Sequence, residues 1–207
     1  MTPPSPANLA RAREMFVREG TESDFLAIDS LRKKDGSSLG FIPKDAYLSV
    51  LTKTRMSNRD RWKYQRIWVV EDNNEITGFV YAIFSRHDVK IEQIVIREDA
   101  RRWERATKLE NIVRQAALHT NATGITCRVA VDIEANYFWR ALGYQPYGCV
   151  TSTWLNQRES KSKRPLFLYL LDFGTPIFPL KSEEGEWVKY EDAKAALDAQ
   201  IERDAKR

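Results

Sequence analysis

The sequence predicts an α/β domain with a mixed, mostly antiparallel central sheet flanked by helices. Three observations predict it. Strand-like and helix-like segments follow one another in the order β-α-α-β-β-β-α-β-α-β-β. Asn73-Asn74 separates two apolar runs, the signature of a tight hairpin. The run DVKIEQIVI (88–96) passes through an acidic turn into the longest amphipathic segment, 101–119, and then into ITCRVAVD (125–132). A strand, a helix and a second strand in that order read as a β-α-β crossover inside the sheet.

The elements follow from local chemistry. Residues 1–13 are Pro-rich and read as a disordered lead, and MFVREGT (15–21) reads as the first strand. Residues 22–34 fit a helix, with Thr21 or Ser23 as N-cap and Phe25, Ile28 and Leu31 at spacings of three. Pro43 suits the first turn of a second helix carrying Ala46, Tyr47, Val50 and Leu51. Residues 55–66 are a basic connection holding Trp62 and Tyr64. IWVVED (67–72) and EITGFVYAIFSR (75–86) are the hairpin strands.

In the 101–119 helix, Trp103, Ala106, Leu109, Ile112, Val113, Ala116 and Ala117 share one face, and Asn121 and Gly124 mark its end. IEANYFWRAL (133–142) is a short helix stopped by Gly143. YGCVTSTWL (147–155) and RPLFLYLLDF (164–173) are strands joined by a basic loop, 156–164. These elements bound one domain over 14–175. The extension 176–207 carries an alanine/leucine-striped helix at 190–206, read as an appendage or an oligomerisation element.

Composition excludes several classes. The 33 basic and 29 acidic residues leave a net charge of +4, too mild for a dedicated nucleic-acid binder. Cys127 and Cys149 have neither metal-ligand nor CxxC spacing and read as small buried residues in a reducing cytosol. His87 and His119 are far apart, which argues against a His-rich metal centre. No apolar run reaches the roughly 18 residues of a membrane span, and no signal core stands at the N-terminus. The expectation is a cytoplasmic protein with no membrane partner.

Residues 91–109 carry the chemistry. A strand that feeds a helix N-terminus makes an anion site, because first-turn N–H groups are free and the helix dipole favours negative charge. Arg101, Arg102 and Arg105 add cationic side chains there, and a pyrophosphate is the expected ligand.

Two motifs add a resemblance. Arg101-Arg102-Trp103-Glu104-Arg105-Ala106 fits the first and last positions of the loop Q/R-x-x-G-x-G/A, with Glu104 in place of the first glycine. Ile96, Glu98 and Ala100 occupy its approach, without the usual proline. Ala135 to Tyr144 (ANYFWRALGY) matches Ala-x-x-hydrophobic-Tyr-x-x-x-Gly-Phe/Tyr, with Trp139 in place of the tyrosine. Tyr137, two residues earlier, lies about 200° round the helix and does not replace it. With the element order, residues 15–173 resemble the GNAT family of acyl-CoA-dependent N-acyltransferases.

The resemblance implies acetyl-CoA, or another acyl-CoA, as cosubstrate and direct attack by an amine of a small-molecule or macromolecular acceptor. It places the cofactor on Ile94, Val95 and Ile96, on Arg101 to Ala106, and on Asn136 and Trp139. It makes Glu92 a candidate general base. Asp132 would contact the pantetheine arm, orient the amine, or cap the helix that follows. Tyr144 or Tyr147 would reach in as the acid. Tyr47, Trp62 and Tyr64 fall where the family recognises acceptors.

Two other readings stay open. The tail GEWVKYEDAKAAL (185–197) resembles a segment near the C-termini of phage-encoded accessory proteins. That points to the phage Mom-like DNA-modification proteins, which are GNAT-like. DNA would then be the partner, bound through 55–66 and 156–164, in the host cytoplasm. The other reading is an inactive GNAT-fold binding or scaffold protein, a homodimer through its tail helix.

Overall fold

The structure, a computed structural model, describes residues 15–34, 42–53, 64–101, 104–151 and 165–173. Its strands are β1 (Met15–Glu19), β2 (Tyr64–Asp72), β3 (Glu75–Phe84), β4 (Asp88–Ile96), β5 (Gly124–Ala130), β6 (Gln145–Thr151) and β7 (Pro165–Asp172). They form one seven-stranded sheet in the order β1-β2-β3-β4-β5-β7-β6. The helices are α1 (Phe25–Lys34), α2 (Lys44–Leu51), α3 (Arg105–His119) and α4 (Ala135–Ala141).

The sheet is antiparallel throughout except where β4 meets β5. Asn73 and Asn74 both adopt left-handed backbone, φ 49° and 62°, which fits the strand twist and closes the β2–β3 hairpin in two residues. The 88–96 strand, the crossover and the order of elements are as the sequence predicts.

Both faces of the sheet are covered. On one, α3 and α4 pack Leu109, Val113, Ala117 and Trp139 against Trp68, Val80, Phe84, Ile91, Ile125, Val129 and Phe167. On the other, α1 and α2 pack Ile28, Leu31, Tyr47 and Leu51 against Ile67, Val69, Phe79, Tyr81 and Val95. This double burial explains why IWVV in β2 is an unbroken apolar run rather than an alternating one.

Several boundaries differ from expectation. Thr21 is the N-cap, its N–H donating to Asp24 Oδ2 at 2.8 Å, and a short 3₁₀ turn precedes α1. Pro43 stands just before α2, in extended backbone, not in its first turn. α3 begins at Arg105 rather than 101: a 3₁₀ turn spans Glu98–Ala100, and Arg101 is extended. α4 begins at Ala135 behind Glu134, so Asp132 is not its cap. Asn121 and Gly143, both at positive φ, end α3 and α4 as expected. The lead, residues 55–63 of the basic connection 55–66, the basic loop 156–164 and the tail helix lie outside the described residues. No helix among the described residues is long and apolar enough to cross a membrane.

Candidate active site

The site begins where β4 and β5 part. Their parallel pairing covers only Asp88 to Ile91 against Gly124 to Cys127. Beyond it β4 continues to Ile96 paired with β3 alone, and β5 continues to Ala130 paired with β7 alone. Two strand edges therefore face one another across an open wedge, whose walls carry strand peptide groups with no ladder partner across the gap.

At the apex of the wedge the β3–β4 register slips. Tyr81 lies opposite Gln93 and Ala82 opposite Ile91, leaving Glu92 as the extra residue of a β-bulge. The side-chain phase confirms it. Val89 and Ile91 pack on the α3 side, but after the bulge it is Ile96 that does so, while Val95 packs under α1 and α2. Glu92 and Gln93 thus both turn to the α1/α2 face. Glu92 is half-buried, and its Oε1 accepts from Lys90 Nζ at 2.7 Å. Tyr81, beneath it, donates to Gln65 Oε1 at 2.7 Å. Burial first, and the Glu92 charge second, push the Tyr81 hydroxyl up to about 12.

The open edge of β4 can be assigned by alternation. Arg97 N–H donates to Thr77 O at 2.8 Å, so position 97 points at β3. Val95 then points the same way, and the peptide groups of Ile94 and Ile96 point into the wedge. The Ile96 carbonyl accepts from Arg101 Nε at 3.2 Å, which agrees. Of the three strand residues expected at the cofactor, Ile94 and Ile96 present their backbone and Val95 does not.

The N-terminus of α3 stands beyond this edge. Glu104, its N-cap, has φ 61° and ψ 0°, a left-handed conformation, and supplies no side-chain cap. The amides of Arg105, Ala106 and Thr107 precede the first helical bond, from Lys108 N–H to Glu104 O at 2.9 Å. Left-handed backbone strains a non-glycine residue by about 1 kcal/mol, which explains why a glycine suits this position. We expect Glu104→Gly to raise stability by about 1 kcal/mol and to tighten acetyl-CoA binding about fivefold by removing strain and an anionic charge. Thermal unfolding and calorimetric titration check it; a Glu104→Gly variant that binds acetyl-CoA more weakly than wild type would show that the carboxylate helps.

Five expected site residues are corrected by burial. Arg105 is only 3% exposed, and its guanidinium bonds Asp72 Oδ2 and the Ala100 carbonyl, each at 2.8 Å, so it is spent inside the fold. Asn136 is buried; its Nδ2 donates to the carbonyls of Ala130 and Ile133, both at 2.8 Å, and its Oδ1 accepts from Tyr169 at 3.1 Å, tying β5, α4 and β7 together. Trp139 packs edge-on against Tyr144 at 4.9 Å within the core. Tyr144 is fully buried, and its hydroxyl donates to Glu110 Oε1 at 2.9 Å, which removes it as an acid for the wedge. Burial, then the Glu110 charge, hold that hydroxyl far above its ordinary value. Tyr47 is buried too and bonds Gln93 rather than facing an acceptor.

The other expected residues fall as follows. Asp132 is exposed in the turn between β5 and α4. Arg101 is exposed at the wedge. Tyr64 is 40% exposed and stacks on Phe84 at 4.7 Å, in the row Tyr64, Phe84, Val89 at the closed end of the wedge. Arg102, Trp103 and Trp62 lie outside the described residues. Sequence reasoning missed Gln93, Tyr81 and Asp72. None of the three has a clear signal in the sequence: the apolar residues of VKIEQIVI fall at 89, 91, 94, 95 and 96, a pattern that does not locate the bulge.

A sheet split between two parallel strands, with a carboxylate where the split begins and bare helix amides beyond its open edge, is the architecture of acyl-CoA-dependent N-acyltransferases. Such a helix end suits a diphosphate, and such a wedge suits an extended thioester arm. Residues 33–152 match the family model described as the acetyltransferase (GNAT) domain, and the chain belongs to that family. It is an acyl-CoA-dependent N-acyltransferase, with acyl-CoA as cosubstrate.

No functionally curated protein matches the chain by sequence. Solved structures show the same fold at low identity. Ard1 from Thermoplasma volcanium is 14% identical, with TM-score 0.60, covering 76% of this chain and 97% of its own. NAA60 of Arabidopsis thaliana, solved with a bisubstrate analogue, is 14% identical with TM-score 0.62, covering 76% and 97%. YncA from Salmonella typhimurium, solved with its cofactor acetyl-CoA, is 14% identical with TM-score 0.61, covering 80% and 98%.

Proposed function

We propose that the protein transfers the acetyl group of acetyl-CoA to a primary amine by direct attack. The observation that carries this reading is the coincidence at Glu92 of the bulge and the end of β4–β5 pairing. That coincidence sets a carboxylate beside open strand peptide groups. The amine nitrogen attacks the thioester carbonyl carbon, and its proton passes to Glu92 directly or through one water. The Ile94 N–H stabilises the oxyanion as it forms. The carbon–sulfur bond then breaks, and the thiolate leaves and takes up a proton. The α3 amides and Arg101 hold the diphosphate, and Asp132 lies at the end of β5 on the pantetheine side. Tyr64 stacks on Phe84 on the α3 side of the sheet, the face opposite Glu92, so in this reading it does not meet the amine.

A peptide or small-molecule amine fits this chemistry, and the structural relative NAA60, solved with a bisubstrate analogue, supports it. The DNA-modifying, phage-type reading rests on 55–66 and 156–164, of which only residues 64–66 are described, and the homodimer rests on the tail outside the described residues; nothing among the described residues favours either. The test is calorimetric titration with acetyl-CoA, followed by thiol release against a panel of amines and N-terminal peptides. Micromolar binding and amine-dependent thiol release are expected. No binding at millimolar acetyl-CoA would overturn the reading.

A further inference from the structure

We propose that the buried Arg105–Asp72 pair is a positioning device that sets the α3 amides at the distance from β4 that a pyrophosphate requires. The inference rests on the acyl-CoA reading above and adds residues to it that do not touch the ligand.

The geometry is a three-way tie. Asp72 ends β2 at the tight Asn73-Asn74 turn, Ala100 ends the 3₁₀ turn after β4, and Arg105 is the first residue of α3. One guanidinium joins them: Nε donates to Asp72 Oδ2 and Nη1 to the Ala100 carbonyl, each at 2.8 Å, and Nη2 also meets Asp72 Oδ2. The side chains are 3% and 8% exposed. Asp72 Oδ1 is buried with no hydrogen-bond partner among the described residues. A carboxylate held in so dry a place, half of it unsatisfied, is a poor choice for stability alone, since a well-packed apolar pair serves as well or better. What the pair supplies is direction, because a planar guanidinium has a fixed fork.

Direction is needed here because the loop is otherwise strained. The chain turns from extended Arg101 to left-handed Glu104 and immediately into the helix. Glycine would adopt that turn freely, but glutamate must be held in it. Arg105, the next residue, holds it. The tie also fixes α3 against Ile96, whose carbonyl is met by Arg101 from the same loop.

Electrostatics and positioning predict opposite signs for one substitution. Asp72→Ala removes a negative charge near the anion site. If the pair acts only through its field, acetyl-CoA binds more tightly. If it acts by positioning, the helix end shifts and binding weakens, about tenfold for a displacement approaching 1 Å. Since an unpaired buried arginine can unfold the chain, the double variant Asp72→Leu with Arg105→Leu removes both charges and keeps the interior apolar.

The experiment measures the acetyl-CoA Kd of wild type, Asp72→Ala and the Asp72→Leu, Arg105→Leu double variant by calorimetry, with thermal unfolding alongside. It also measures KM for S-acetylpantetheine, a donor that lacks the pyrophosphate. Positioning predicts an acetyl-CoA Kd raised about tenfold in both variants, whatever their melting temperatures, with KM for S-acetylpantetheine unchanged. Tighter or unchanged acetyl-CoA binding in the folded double variant overturns the proposal, as does equal loss toward both donors. Wild type that fails to bind acetyl-CoA overturns the acyl-CoA reading itself, and the proposal with it.

Discussion

Glu92→Gln lowers kcat about a hundredfold at saturating acetyl-CoA and leaves the acetyl-CoA Kd within about twofold. The amide keeps the size and most contacts of the carboxylate but accepts no proton. The bulge gives the substitution its meaning. Without it Glu92 would be one of an alternating series; with it Glu92 and Gln93 both face α1 and α2, and Glu92 lies where β5 leaves β4. The Lys90 ammonium at 2.7 Å holds the carboxylate in place there. Steady-state rates across a range of amine concentrations, with calorimetry for the donor, separate the two effects. A glutamine variant with full kcat would remove Glu92 from the chemistry, leaving water to take the proton.

The second large effect is expected at Gly78, in β3 opposite Ile96. A Cβ there would stand 2.4 Å from Ile96 Cδ1, 2.7 Å from the Val95 carbonyl oxygen and 3.0 Å from Val70 Cγ1. The isoleucine methyl can turn away, but the carbonyl is backbone, so β4 itself must move. We expect Gly78→Ala to destabilise the fold by about 3 kcal/mol, at the upper end for overpacking. Ile94 and Ile96 on the same strand line the wedge, so the same displacement should weaken acetyl-CoA binding in whatever fraction remains folded. Urea unfolding gives the first quantity and calorimetry below the transition the second. An unchanged midpoint would mean that the sheet has room at this position. Gly78 is therefore a glycine for close approach, unlike Gly143, which ends α4 at φ 90°.

Both predictions concern features with different visibility in the sequence. The Asn73-Asn74 turn, the 88–96 strand and the glycine that stops α4 are local, and local chemistry specifies them. The bulge is not visible there, because Ile94, Val95 and Ile96 are all apolar and either phase would fit them. The separate roles of the arginines are not visible at all. Arg101 and Arg105 have the same side chain four residues apart, yet one is exposed on the loop and the other is sealed against Asp72. The helix motif locates Asn136, Trp139 and Tyr144 as one segment beside the end of β5. It does not say that each turns inward, because Tyr169 and Glu110, the partners that draw Asn136 and Tyr144 in, come from distant elements.

The sequence by itself determined the element order, the crossover and the family, because these follow from periodicity, turn residues and contiguous motifs. Only the tertiary structure decided where β4 and β5 part, which backbone groups line the gap, and which charges are spent inside. Those depend on which strand lies beside which and on which side chain meets which across the fold. A chain fixes such meetings through packing, not through spacing.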